Sequence, residues 1–238
     1  APGNAGTALC GTNLDLEVSD FEGLSEACIS QQVSLVIVGP EEPLVKGITD
    51  FFSTNDATKH IQIIGPSMAA SQLEGSKTFA KSFMQHHHIP TAAYKEFTID
   101  NYEEGVSYIR QHSLPIVLKA DGLAAGKGVL ICQSYLEALA EFELMIIRSK
   151  FGEAGKKVVI EEFLTGIEIS VFVVTDGKHY VLLPEAKDYK RIGQGDKGLN
   201  TGGMGTVAPN PFYTPEIAKV CMDTIFLPTI RAMAAEGR

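Results

Sequence analysis

The sequence predicts an α/β domain built on a parallel sheet, followed by an α+β domain of paired strands. Three observations predict this. Buried-strand runs at residues 34–39 (SLVIVG) and 61–65 (IQIIG) are separated by helical stretches, the alternation that builds βαβ units. After Pro115 the texture changes to strands that come in pairs across short turns. The chain has 238 residues, 45% of them hydrophobic and 21% charged, which is enough apolar material for more than one core.

In chain order, the opening APGNAGTA reads as the turn after a strand, so the first strand of the parallel sheet is expected to be missing and the chain to be a piece. A helix is expected over 21–31, with N-cap chemistry from Ser19-Asp20, then the strand at 34–39, a helix over 43–52 and the strand at 61–65. Parallel sheets bind ligands beyond the carboxyl ends of their strands, where Gly39-Pro40-Glu41-Glu42-Pro43 and Gly65-Pro66-Ser67 lie. Residues 67–84 read as a helix ending near Ile89-Pro90, with Phe79, Phe83 and Met84 at core spacing. A domain boundary falls within 66–90, giving expected domains at 1–70 and 71–238. Beyond it follow strands at 115–119 and 128–132, a helix over 135–148 and a strand at 157–164. After a Thr165-Gly166 break come a strand at 168–174, the turn Asp176-Gly177-Lys178 and a returning strand.

Composition limits the partners. A net charge of −9 and a pI near 5.2 argue against a general nucleic-acid binder and leave room for a local basic pocket holding one small phosphorylated ligand. Cys10, Cys28, Cys132 and Cys221 are scattered without a C-x-x-C pair, which suits reduced thiols in a cytoplasm. No signal peptide and no apolar stretch long enough to span a bilayer is found. His86-His87-His88 point in different directions on a helix and read as a surface helix end; Glu103-Glu104 and Lys156-Lys157 read as solvated faces.

Three stretches carry chemistry. KADGLAAGKGV, residues 119–129, lies between apolar strands, and its glycines allow positive φ and close approach of amide groups to an anion. It is not a Walker-type phosphate loop, since Gly122 and Gly126 enclose three residues rather than four, and Gly128 follows Lys127 where a hydroxyl is required. Nor is it a dinucleotide fingerprint; a phosphate clamp and an exposed hairpin both fit the loop taken alone. In VVIEEFLTGIE, residues 158–168, an apolar strand ends in two carboxylates and relaxes into Phe-Leu-Thr-Gly, offering backbone groups to a base edge and Glu168 to ribose hydroxyls. A solvated acidic strand end is the alternative. In LPEAKDYKRIGQGDKGLNTGGMG, residues 183–205, the run 200–205 is too poor in side chains for core and suggests amides lining a pocket.

The glycine loop followed by the strand, acid pair and Gly-x-Glu pattern resembles the nucleotide site of the ATP-grasp superfamily. Together with Ala1-Pro2-Gly3-Asn4-Ala5-Gly6-Thr7, Val38-Gly39-Pro40-Glu41-Glu42-Pro43-Leu44, Gln72-Leu73-Glu74-Gly75-Ser76-Lys77 and the 200–205 run, it resembles the phosphoribosylamine-glycine ligase family, also called glycinamide ribonucleotide synthetase. The resemblance implies a substrate-binding α/β domain, then an ATP-grasp domain truncated at its C-terminal end, with a glycine-loop subdomain at about 91–165. It implies a cytoplasmic ligase of purine biosynthesis that joins glycine to 5-phosphoribosylamine through a glycyl phosphate, with ATP as co-substrate and magnesium or manganese. No nucleic acid or membrane partner is implied.

By resemblance the ATP contacts are Lys77, Lys119, Gly122, Gly126, Lys127 and Gly128 at the triphosphate, Glu161, Glu162, Phe163 and Leu164 near adenine, and Glu168 at ribose. The sugar-phosphate would meet Gly3, Asn4, Ala5, Gly39, Pro40, Glu41, Asp188, Tyr189, Lys190, Arg191, Asn200, Thr201, Gly202, Gly203 and Met204. The family's metal ligands and a catalytic arginine would lie beyond Arg238, so no metal ligand is expected in this chain and the fragment itself is expected to be inactive. Another ATP-grasp carboxylate-amine ligase or carboxylase, and a non-catalytic nucleotide-binding module, are the rival readings.

Overall fold

A computed structural model describes residues 1–122, 128–195 and 197–238. It separates into two compact units, Ala1–Gly75 with Arg238, and Ser76–Gly237.

In the first unit, helix α1 (Phe21–Ser30) starts where Asp20 accepts a 3.0 Å hydrogen bond from the Gly23 amide. Strands β1 (Leu35–Ile37) and β2 (Gln62–Ile64) pair in parallel, Val36 opposite Ile63. The helix expected over 43–52 is two helices, α2 (Glu41–Val45) and α3 (Ile48–Thr54). Gly47 divides them because its φ of +90° leaves the helical region, which glycine does without steric cost. Pro43 is tolerated in the first turn of α2, where its amide would have had no helical partner. Ile48, Phe52 and Ile61 form the core, with Phe21, Leu24, Val36 and Ile63 packed on it. The short helix α4 (Gln72–Gly75) closes the unit.

The second unit opens with α5 (Lys77–His86). The single helix expected over 67–84 is therefore interrupted. Ser76 is extended, with φ −136° and ψ 118°, and its hydroxyl accepts from the Phe79 amide, so it caps α5 instead of continuing α4. Next come β3 (Tyr94–Thr98), α6 (Tyr102–Gln111), β4 (Ile116–Ala120), β5 (Val129–Cys132), α7 (Tyr135–Ile146) and β6 (Lys157–Glu162). The four strands form an antiparallel sheet in the order β3-β6-β4-β5.

Alternation along these strands sends Ile116, Leu118, Ala120, Val158 and Ile160 to one face, where they pack with Ile109, Phe142 and Met145 of α6 and α7. Tyr102 stacks on Phe142 at 5.3 Å. Gly105 of α6 lets the aromatic cluster close, because a Cβ there would stand 2.7 Å from Phe142 Cε1.

The remainder is β-rich. Strands β7 (Val173–Thr175) and β8 (Tyr180–Leu182) form a hairpin. The strand expected over 168–174 is mostly absent: its alternating pattern is sound, but a strand also needs a ladder. Before β7 only Ser170 bridges Ala186, and the Phe172 carbonyl accepts from the Leu183 amide. Strands β9 (Lys187–Gly193) and β10 (Lys197–Val207) pair antiparallel with two register shifts. Residues 200–205, expected as pocket-lining amides, thus lie on an irregular strand. Helices α8 (Pro215–Cys221) and α9 (Leu227–Ala235), joined by a π turn at Met222–Phe226, complete the unit.

Two outcomes follow from this packing. Gly105→Ala is expected to destabilise the second unit by about 1–3 kcal/mol through overpacking, read as a lowered urea midpoint at unchanged slope. An unchanged midpoint would mean that the Phe142 ring moves aside freely. The buried Cys132 thiol is pushed up from 9.0 to about 11 by burial and then by Glu137 and Glu141. Between those values the unfolded chain releases a proton that the folded one keeps, so Cys132 contributes stability that is lost as pH rises from 9.0 toward about 11. The melting temperature of Cys132→Ala should fall less steeply than that of the parent over this interval, and parallel curves would refute the assignment.

Candidate functional site

The sheet face opposite α6 and α7 is set by register. One cross-strand row runs Tyr94, Glu161, Val117, Ile131, and the next runs Glu96, Val159, Lys119, Val129. Lys119 and Glu161 are diagonal neighbours in adjacent strands, close enough for long side chains to meet. They do: Lys119 Nζ lies 2.8 Å from Glu161 Oε2.

A second lysine reaches the same carboxylate from α5. Lys81 Nζ lies 3.1 Å from Glu161 Oε1, an ion-pair contact without the alignment of a hydrogen bond. Its ammonium donates to Thr91 Oγ1 at 2.7 Å and to the Ala92 carbonyl at 3.3 Å, and stands 5.3 Å from the Tyr94 ring centre. Burial lowers the Lys81 ammonium below the ordinary lysine range, while Glu161 acts against that shift. Nearby, burial raises the Glu96 carboxyl and the Tyr94 phenol.

Among the three groups in contact, two ammonium groups against one carboxylate leave one positive charge in excess, with the Glu162 carboxylate acting on Lys81 from farther away, and exposure decides where the excess points. The Lys119 side chain is 28% exposed, against 8% for Lys81 and 4% for Glu161. The cluster therefore presents its charge to solvent through Lys119.

The base of the glycine loop is tied to the start of α5. Asp121 accepts from Ser76 Oγ at 3.1 Å, the Thr78 amide at 3.1 Å and Thr78 Oγ1 at 3.0 Å. Lys77 Nζ donates to the Gly122 carbonyl at 2.8 Å. The ends of the loop are held together by the Ala120 amide on the Gly128 carbonyl at 2.8 Å. Gly126 and Lys127, also expected at the triphosphate, lie outside the described residues.

At the end of β6, Glu162 turns aside and accepts from the Ala93 amide at 2.8 Å, and the next two residues, Phe163 and Leu164, are exposed. Glu168 is paired with Lys190. The structure thus joins a residue expected at ribose to one expected at the sugar-phosphate.

A cavity of about 460 Å³ lies over β10, lined by Ser170, Phe172, Asp188, Gly203, Met204 and Thr206 among others. Thr201 Oγ1 donates to the Lys190 carbonyl at 2.7 Å and accepts from the Gly203 amide at 3.1 Å. Gly202 is exposed, and Asn200 is placed opposite Arg191 in the strand register. Arg191 makes one long 3.4 Å contact with the Gly198 carbonyl. Of the residues expected at the sugar-phosphate, Asp188, Gly202, Gly203 and Met204 line this cavity.

In the first unit, Asn4 Oδ1 accepts from the Gly6 and Thr7 amides at 2.8 and 3.0 Å, closing a turn on its own loop. Gly3 and Ala5 are exposed beside it. Gly39, Pro40 and Glu41 follow β1 at its carboxyl end, with Pro40 as the N-cap of α2. Open space surrounds the Cβ direction of Gly39.

Sequence reasoning missed Lys81, Asp121, Ser76, Thr78 and Glu96. A signal existed for Lys81, which stands four residues after Lys77 and so shares its helix face. Asp121 is expected to hold the loop base: Asp121→Ala should destabilise the second unit by about 1–2 kcal/mol, as three donors lose their acceptor, and Asp121→Asn by less. Urea titration of the two variants checks this, and equal losses would remove charge from the explanation.

Comparison with known proteins agrees with the two units. Residues 1–74 match the N domain of phosphoribosylglycinamide synthetase, and residues 75–238 match its ATP-grasp (A) domain. A phosphoribosylamine-glycine ligase of Pasteurella multocida is 48% identical over 239 aligned positions, covering all of this chain and 54% of the relative. The chain spans about half the length of the curated relatives it matches. The crystal structure of a phosphoribosylamine-glycine ligase from Thermotoga maritima superposes with a TM-score of 0.77 at 34% identity, over 99% of this chain and 55% of that one. The biotin carboxylase domain of the Hydrogenobacter thermophilus 2-oxoglutarate carboxylase, solved with MgADP, shares the fold at a TM-score of 0.64 and 19% identity, over 90% of this chain and 45% of that one.

Proposed function

The chain belongs to the phosphoribosylglycinamide synthetase family, and on that premise we propose that the whole protein is a cytoplasmic ATP-dependent ligase making glycinamide ribonucleotide from glycine and 5-phosphoribosylamine in purine biosynthesis. A glycine carboxylate oxygen attacks the γ-phosphorus of ATP, ADP leaves, and glycyl phosphate forms. The substrate amine then attacks the acyl carbon, phosphate departs, the amine loses a proton, and the amide is made.

The observation that carries this reading is the surplus ammonium of Lys119 beside the glycine loop. Phosphoryl transfer demands mostly positioning and neutralisation of charge, and Lys119, Lys77 and Lys127 supply cations for it in this proposal. Gly122 and Gly128, at the two ends of the loop, offer backbone groups to the phosphates, Gly126 is assigned with them by family resemblance, and exclusion of water protects the acyl phosphate. In this proposal adenine lies against the backbone at the end of β6, at Glu161, Glu162, Phe163 and Leu164, while the Glu161 carboxylate stays with its two lysines. Glu168 takes the ribose hydroxyls. The cavity at Asp188, Gly203 and Met204 receives the sugar-phosphate, aided by Lys190, Arg191, Asn200, Thr201 and Gly202. On the family resemblance alone, the first unit's loops at Gly3, Asn4 and Ala5 and at Gly39, Pro40 and Glu41 are also assigned to sugar-phosphate recognition.

The family implies a divalent metal, magnesium or manganese. The described residues hold no group of three or more His, Cys, Asp or Glu side chains arranged to bind one, so they do not make that site and no step is assigned through it.

The test is product formation by the full-length protein from ATP, glycine and 5-phosphoribosylamine, and absence of glycinamide ribonucleotide would overturn the proposal. Within it, Lys119→Met should weaken ATP binding about ten- to a hundredfold, the worth of one charge-assisted contact, while adenosine binding changes little. Equal losses for both ligands would place Lys119 outside the phosphate site.

A further inference from the structure

We propose that Lys81 is a positioning residue, an internal counter-ion that occupies Glu161 so that Lys119 stays available to the nucleotide phosphates. The inference rests on the ATP reading given above. Lys81 touches no ligand in it and acts only through Glu161 and Lys119.

A buried carboxylate facing one lysine would neutralise it and hold it, since in a poorly hydrated site an isolated pair is strongly attractive. Glu161 faces two. Lys81 is the buried one, fixed by Thr91 Oγ1 and the Ala92 carbonyl, with the Tyr94 ring over it. Its anchors lie on the segment leading into β3, so its position does not depend on Lys119. Lys119 has a single described carboxylate partner and is the exposed member of the cluster. With Lys81 in place, Glu161 Oε1 is engaged by a cation at 3.1 Å, and Lys119 can exchange its contact with Oε2 for a phosphate oxygen without leaving an uncompensated buried anion. Without Lys81 that exchange strands the Glu161 charge, so Lys119 stays inward.

The readout is the ratio of ATP to adenosine affinity in the full-length protein, measured by calorimetry with melting curves recorded alongside. Lys81→Met should lower the ratio about tenfold, one charge-assisted contact, and Lys81→Arg should restore it to within about threefold of the parent. In a Lys119→Met background, Lys81→Met should change the ratio less than about twofold, since the two act through one contact. A ratio unchanged in Lys81→Met, or a loss equally large in the Lys119→Met background, overturns the proposal. Should Lys81→Met fail to fold, Thr91→Val carries the test: cutting one anchor should lower the ratio about threefold, and an unchanged ratio again refutes it. A parent protein that does not prefer ATP to adenosine would instead refute the nucleotide reading itself.

Discussion

The second unit is organised around one buried carboxylate. Glu161 is 4% exposed at its side chain and has cations from β4 and α5 on its two oxygens. Ionising a carboxylate in such a place is costly unless it is paired, and removing one partner of a buried pair costs about 3–5 kcal/mol. That asymmetry fixes neighbours. α5 must lie where Lys81 can reach the sheet, β4 and β6 must keep the register that makes Lys119 and Glu161 diagonal neighbours, and the chain before β3 must present Thr91 and Ala92 to the same ammonium.

A one-residue slip between β4 and β6 would send Lys119 into the apolar face that packs on α6 and α7, where Phe97, Ile109 and Phe142 have no exposure at all. The apolar face and the polar face therefore enforce each other. Asp121 extends the same logic along β4: two residues beyond Lys119 it gathers three donors from the first turn of α5, so the strand that carries the lysine and the helix that carries Lys81 are joined twice.

Much of this was legible in the sequence where pattern and partner coincide. β4, β5, β6 and α7 were readable because strong apolar runs are bounded by glycine, proline or a capping serine, and each finds a regular partner. The sequence misled where a pattern had to compete with a local alternative. Residues 67–84 have helical composition throughout, yet Ser76 can satisfy α5 by capping it, and periodicity does not register that choice. Residues 168–172 alternate like a strand but find only scattered partners. At the site, the motif strings led to Lys77, Lys119 and Glu161, while Lys81 and Asp121 depend on contacts spanning ten residues or more, which no local pattern encodes.

The Lys190–Glu168 pair and the cluster on Glu161 also differ in kind. Lys190 and Glu168 meet with side chains 38% and 65% exposed, and an ion pair so open to water contributes at most about 1 kcal/mol. Such a pair is cheap to break, so a ligand that offers hydroxyls to Glu168 and an anion to Lys190 can replace it with little loss. Glu161 behaves oppositely: held by the buried Lys81 it stays a fixed part of the frame, and the contact from the more exposed Lys119 is the one that can be exchanged. Cheap contacts near the cavity and costly ones under the sheet divide the unit into a surface that can exchange partners and a base that holds its geometry while it does so. The surplus charge on Lys119 lies at the boundary between the two, anchored from below and open above, which is the position a cation must hold to meet a phosphate without rearranging the strand that carries it.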